Sequence, residues 1–254
     1  MNDIPALPPA LLQALARRFE RIVVFTGAGM SADSGIPTFR SGSNGLWQDF
    51  DPQQLATPQA WQRDPALVWG WYEWRRGLVM RAAPHAGHLA VARLQRALGA
   101  QVLTQNVDDL HERAGVTGAL HLHGSLFAPR CSDCARPGPL PAPPAAACLR
   151  LQPPRCRHCG GALRPGVVWF GEGLDAGVWA RARQCIAGCD LLLVVGTSGV
   201  VQPAASLVGL APRDALVVEV NPQPGGSGSR PFQRLALGAA TGLPLLAAQL
   251  LATR

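Results

Sequence analysis

The chain has 254 residues, 48% hydrophobic and 15% charged, enough to bury a sizeable core in one domain or in a large domain carrying a smaller one. All 23 of its Lys/Arg positions are arginine, which excludes Schiff-base or general-base lysine chemistry and any phosphate loop that ends in Lys. The net charge of +7 is scattered over arginines in ones and twos with no basic run, so no nucleic-acid partner is expected, and 28 Gly with 23 Pro stay below the level of low-complexity disorder.

The opening stretch MNDIPALPPALLQALARRFE has no basic region followed by a long apolar run, so no secretory signal is expected. No segment reaches the ~18 unbroken apolar residues of a membrane span. A soluble, cytoplasmic protein with no membrane partner is the expectation. Pro8 and Pro9 precede helix-period positions at Leu11, Leu12, Leu15 and Phe19. Residues 22–25 then form an apolar run of strand length, followed by a Gly-rich turn. Residues 64–82 and 85–98 carry helix-period apolar positions, and residues 101–104, 191–195 and 216–220 read as further strands. Strands apolar on both faces that alternate with helices predict an α/β fold with a parallel, doubly wound sheet. Residues 135–155 break this pattern with seven prolines and almost no periodicity, and are predicted to be an insertion outside the sheet.

Three groups of residues carry candidate chemistry. Gly27-Ala28-Gly29-Met30-Ser31-Ala32 follows a strand and opens a helix. It fits G-x-G-x-x-A, in which small residues let the backbone approach a pyrophosphate and the helix start offers N–H groups to the anion. A tight turn without ligand is the alternative. An acid for the ribose would follow about 20 residues on; only Asp49 and Asp51 lie near, in an expected loop, which weakens a dehydrogenase reading. Cys131-x2-Cys134 and Cys156-x2-Cys159 form two knuckles, and four thiolates close a tetrahedral zinc shell with no open position. The zinc is therefore expected to be structural, with His158 inside the second knuckle as a competing ligand and Cys148, Cys185 and Cys189 as buried or free thiols. Gln105-Asn106-Val107-Asp108 and His121-Leu122-His123-Gly124 lie at strand ends, where open α/β sheets bind ligands. Either histidine suits a base near neutral pH or a satisfied structural residue, and their spacing does not choose between them.

Taken together, GAGMSADSGIPTFR (27–40), TQNVDDLH (104–111), HLHGSL (121–126), the cysteine pairs, RPGVVWFGE (164–172), GTS (196–198) and VVEVN (217–221) resemble the sirtuins in order and spacing. Sirtuins are NAD-dependent protein-lysine deacylases. The resemblance implies a Rossmann-like doubly wound parallel sheet with a smaller zinc-binding and helical domain inserted. Residues 1–40, 84–126 and 166–254 would form the NAD-binding domain, 41–83 the helical part of the small domain, and 127–165 the zinc-binding module. By the same match Gly27, Ala28, Gly29, Ser31, Ala32, Pro37, Thr38, Phe39 and Arg40 belong to the cofactor loop. Gln105, Asn106, Val107 and Asp108 would line the nicotinamide and ribose pocket, and Gly196, Thr197, Ser198, Asn221 and Ala239 would hold the adenosine half. His123 matches the catalytic base, and Val168, Trp169 and Phe170 resemble the segment that clamps an acyl-lysine peptide. The implied cosubstrate is NAD, the implied metal one structural zinc ion, and the implied partners are acyl-lysine-bearing proteins or peptides. The implied products are free lysine, nicotinamide and O-acyl-ADP-ribose.

Tyr72, the only tyrosine, stands three residues before Arg75 in a predicted helix, so phenol and guanidinium share a face and suit a carboxylate. The pair resembles the Tyr-x-x-Arg of class III sirtuins, which prefer succinyl- and malonyl-lysine, and Thr38 points the same way. A solvated helix face is the plainer alternative. A plain deacetylase, a mono-ADP-ribosyltransferase and a non-catalytic NAD-sensing module are the competing functions.

Overall fold

The apolar runs come together as a six-stranded sheet in which every neighbouring pair is parallel. It is seen in a computed structural model that describes residues 6–37, 51–144, 146, 148–223 and 232–253, so Thr38, Phe39 and Arg40 lie outside the described residues. Its strands are β1 (Ile22–Thr26), β2 (Gln101–Thr104), β3 (Leu120–His121), β6 (Leu191–Val195), β7 (Leu216–Val220) and β8 (Gln233–Leu235), ordered β3-β2-β1-β6-β7-β8. A separate antiparallel ribbon pairs β4 (Gly124–Cys131) with β5 (Leu163–Val167) and runs across the domain boundaries expected after residues 126 and 165.

The pleat explains why β1 and β6 read as unbroken apolar runs. Ile22, Val24, Leu191, Leu193 and Val195 enter one core, while Val23, Phe25, Leu192 and Val194 enter another on the opposite face. The first core lies under α1 (Pro9–Ala14), α2 (Gly29–Ala32), α6 (Ala86–Leu98) and α9 (Ala239–Ala252), and the second under α8 (Ala176–Ala187) and the 3₁₀ segment Ala204–Leu210. A third core joins α3 (Pro52–Leu55), α4 (Pro58–Arg63) and α5 (Pro65–Arg81) to the ribbon through Trp61, Val68, Trp69, Trp71, Leu126, Leu163 and Trp169. The remaining helix is α7 (Leu110–Arg113).

Local signals set the ends of these helices. Thr57 and Asp64 accept from the N–H groups of Ala60 and Leu67 at the starts of α4 and α5, each followed at once by proline. Gly99, at φ 70°, ends α6. Among the described residues, no helix is long and apolar enough to cross a membrane.

Candidate active site

Strand order reverses between β1 and β6, and the crevice above their C-terminal ends is where a ligand of such a sheet sits. Gly27, Gln105, His121, Gly196 and Asn221 all leave their strands at this edge. The Gly29 N–H donates to the Gly196 carbonyl at 2.8 Å. A Cβ on Gly29 would stand 2.7 Å from the Gly196 Cα, and Gly196 has φ +57°, so the glycines also let the two turns nest against each other. The expected helix after this loop is the single turn α2.

A buried polar cluster underlies the crevice. The Ser31 hydroxyl donates to Asp108 Oδ2 at 2.9 Å, Asn106 Nδ2 donates to Ser31 Oγ at 3.1 Å, and the Leu110 N–H donates to Asp108 Oδ1 at 3.1 Å. Burial raises the Asp108 carboxyl above its ordinary range, opposed by these hydrogen bonds from Leu110 and Ser31. Gln105 Nε2 donates to Thr197 Oγ1 at 3.0 Å and Asn221 Nδ2 to the Thr197 carbonyl at 3.1 Å, tying three strand ends together. Ser198, Ala28 and Pro37 are half-buried and Ala32 is exposed. The Val107 carbonyl accepts from Leu126 N–H at 2.9 Å and links this edge to the ribbon. Ala239 starts α9 with its side chain in the first core, so any contact with a ligand there would come from its backbone.

Hydrogen bonding separates the two histidines that spacing left equal. His121 donates from Nδ1 to the Asn106 carbonyl at 2.9 Å, and its Nε2 meets Glu112 Oε1 at 2.9 Å. Both ring nitrogens are engaged, and its pKa is raised by Glu112 and the Asn106 carbonyl against the opposing effect of burial. His123 Nδ1 donates to the Gln105 carbonyl at 3.0 Å. A carbonyl has no proton to give, so Nδ1 carries the hydrogen and Nε2 the lone pair, which no described group engages. Burial lowers the His123 pKa, partly offset by the Gln105 bond, so Nε2 is a ready base at neutral pH.

The substrate candidates lie on the third core. The Val168 N–H donates to the His123 carbonyl at 2.9 Å, Trp169 is buried, and Phe170 is exposed. Arg164 holds Glu172 at 2.6 and 2.9 Å and stacks its guanidinium on the Trp169 ring at 3.4 Å, fixing residues 168–172; the sequence reading did not single out either residue. Tyr72 is buried and packs edge-on against Trp71 with ring centroids 4.7 Å apart. Burial pushes its phenol up to about 12, with the Arg75 charge acting the other way. Arg75 is half-buried, its guanidinium 5.0 Å from the Trp71 ring centre and 5.9 Å from that of Tyr72. Burial lowers its pKa, opposed by the charges of Tyr72 and Asp108.

The four cysteines fit a zinc ion. The Sγ atoms of Cys131, Cys134, Cys156 and Cys159 all lie within 4.8 Å of one another, with 3.4 Å between Cys131 and Cys159 and 3.7 Å between Cys134 and Cys156. Zinc–sulfur bonds of about 2.3 Å put tetrahedral sulfurs about 3.8 Å apart. Backbone N–H groups of Asp133 and His158 point at Cys131 and Cys156 Sγ, each at 3.4 Å, as thiolate knuckles require. His158 meets Arg136 through Nδ1 at 3.0 Å rather than the sulfurs.

The sequence model of the Sir2 family matches residues 27–203. The chain belongs to the Sir2 family. It is 56% identical over 209 residues to NAD-dependent protein deacylase 1 of Pseudomonas aeruginosa, covering 80% of this chain and 84% of that one. It is 51% identical over 216 residues to an NAD-dependent protein deacylase of Corynebacterium glutamicum, covering 82% and 83%. Its fold is similar to that of a Sir2 homologue solved in complex with NAD, with TM-score 0.85, 41% identity, and coverage of 96% of this chain and 94% of that chain.

This Sir2-family chain also holds three packed histidines behind the crevice that sequence reasoning missed. His88 and His111 are buried with ring centroids 5.2 Å apart, and His85 stacks on His88 at 4.2 Å. His111 Nε2 meets Thr26 Oγ1 at 3.1 Å, and His85 Nε2 donates to the Met30 carbonyl at 2.7 Å. His88 Nε2 and His111 Nδ1 have no partner among the described residues. Burial, reinforced by neighbouring histidines, lowers His88 to about 2, and burial lowers His111 to about 4. An unfolded histidine titrates near 6.5, so below about pH 6.5 the unfolded chain binds more protons than the folded one. Stability is therefore expected to fall from pH 6.5 towards 4, by up to about 1.4 kcal/mol per pH unit for each of the two groups. Thermal melts from pH 7 to pH 5 check this: the melting temperature should drop, and the drop should be shallower in His111→Gln. A flat profile would contradict the cluster's neutrality.

Proposed function

We propose that this chain is an NAD-dependent protein-lysine deacylase that prefers succinyl- and malonyl-lysine, with deacetylation secondary. The observation that carries the reading is His123, whose Nδ1 bond to the Gln105 carbonyl leaves the Nε2 lone pair for a substrate, together with Tyr72 and Arg75 about one helical turn apart on α5. NAD, when bound, supplies an activated ribosyl carbon with nicotinamide as the leaving group. Gly27, Gly29, Thr197 and Asn221 are positioned at the sheet edge to hold its adenosine and phosphates. Asn106, Ser31 and Asp108, locked to one another, orient the nicotinamide ribose, and a fixed geometry is what this reaction needs most. His123 Nε2 takes a proton from a ribose hydroxyl, which lets that oxygen complete acyl transfer. Val168, tied to the His123 backbone, and the exposed Phe170 two residues on take the acyl-lysine stem and its peptide.

The acyl preference follows from charge. A guanidinium packed beside the Trp71 and Tyr72 rings suits an acyl chain that ends in a carboxylate, which an acetyl group lacks. A charge-assisted bond of this kind is worth about 1.5–3 kcal/mol. Arg75→Met is therefore expected to lower kcat/KM on a succinyl-lysine peptide by about 10–100-fold while acetyl-lysine turnover stays within a few-fold. Matched peptides with the wild type and Arg75→Met test the reading. A wild type that favours acetyl, or an Arg75→Met variant with unchanged succinyl turnover, would overturn it.

A further inference from the structure

The proline-rich segment between the cysteine pairs is not needed to hold zinc, yet its described residues make contacts along α5. Its Leu151 N–H donates to the Ala66 carbonyl at 3.0 Å, and Arg150 pairs with Asp64 at 2.7 Å. Further along, Gly70 makes room for it: a Cβ there would stand 2.9 Å from the Leu149 carbonyl oxygen and 3.0 Å from that of Cys148. At the far end Arg76 Nη2 donates to the Pro141 carbonyl at 3.0 Å. Arg76 is only 2% exposed, and Glu73 on the same helix holds its guanidinium through Nε at 3.1–3.2 Å and through Nη2. At about 100° per residue, Ala66, Gly70 and Glu73 share one face of α5, and Arg75 projects from the opposite face. Prolines at 137, 139, 141, 143 and 144 stiffen the segment and strip it of N–H groups, leaving its carbonyls to accept from outside.

We propose that this insertion is a brace that sets the acyl preference by holding α5 in place, with Arg76 as its positioning residue. The inference rests on the acidic-acyl reading above. Arg76 touches no substrate; it acts through Arg75 and Tyr72. Removing it should therefore weaken capture of an acidic acyl group and leave the chemical step and acetyl-lysine capture alone.

The test is steady-state kinetics of the full-length, zinc-loaded protein on matched succinyl- and acetyl-lysine peptides, for Arg76→Met, Arg76→Lys, Gly70→Ala and Arg75→Met. Arg76→Met should raise the succinyl KM about tenfold, with kcat and the acetyl KM within about twofold, and Arg76→Lys should recover part of the loss. Gly70→Ala strengthens the helix itself but pushes the brace away, so it should raise the succinyl KM in the same selective way, by about fivefold. Should Arg76→Met not fold, Gly70→Ala decides alone. If Arg75→Met raises the succinyl KM but Gly70→Ala and Arg76→Met do not, or if they change both substrates equally, the brace is overturned and the acyl reading stands. If Arg75→Met itself leaves the succinyl KM unchanged, the acyl reading fails and takes the brace with it.

Discussion

Replacing His123 with Asn is expected to lower kcat/KM for deacylation by about 10²–10⁴-fold, the range that general-base catalysis contributes. The prediction is specific because the neighbouring His121 is a control two residues away. His121 spends both ring nitrogens on Asn106 and Glu112, so neither is left to take a proton from a substrate. His121→Gln can keep the bond to the Asn106 carbonyl and should cost well under tenfold. His123→Asn should retain NAD binding and a melting temperature close to wild type, since its folded-state partner is a single backbone carbonyl. Rates for the two variants, with NAD binding measured by calorimetry, check the assignment. A larger loss in His121→Gln than in His123→Asn would reverse it.

The second large effect concerns the zinc site. Structural zinc contributes roughly 10–16 kcal/mol of apparent binding energy in small metal-dependent folds. Here the thiolates are part of a core: Cys131 and Cys156 pack in the same cluster as Trp61, Trp69, Trp71, Tyr72 and Trp169. Stripping zinc with a strong chelator, or Cys156→Ser, is expected to loosen this cluster, shift tryptophan emission to the red and abolish deacylation. The parallel sheet has its own two cores and should keep its far-ultraviolet circular dichroism. Re-adding zinc to the chelated protein should restore both signals. Full activity at less than one-tenth equivalent of zinc would show that the site does not support the catalytic half.

These outcomes depend on features of unequal visibility in the sequence. The strands of the main sheet were legible because burial on both faces forces unbroken apolar runs, as in Leu191–Val195. β8 was not, being three residues long with the polar Gln233 and Arg234. The β4–β5 ribbon hid for a related reason: Pro129 and Pro165 interrupt its alternation. At the site, the cysteine pairs carried their meaning in spacing alone. The sirtuin resemblance pointed to His123, but the physical ground for preferring it over His121 is Glu112, whose place beside His121 depends on tertiary packing. The buried histidines left one faint trace, the i, i+3 pair His85 and His88 at a helix start, but His111 joins them only through tertiary packing. The proline-rich segment was legible as an insertion, whereas its seat on α5 depends on Gly70 and Arg76, which no local pattern marks.

The most direct test of the account is product analysis of the purified protein with NAD and a succinyl-lysine peptide, set beside the matched acetyl-lysine peptide. Unmodified lysine, nicotinamide and O-succinyl-ADP-ribose are expected in equal amounts, formed only when NAD is present and faster than the acetyl products. Consumption of NAD with ADP-ribose attached to protein and the acyl-lysine left intact would contradict it, as would no NAD-dependent loss of the succinyl group.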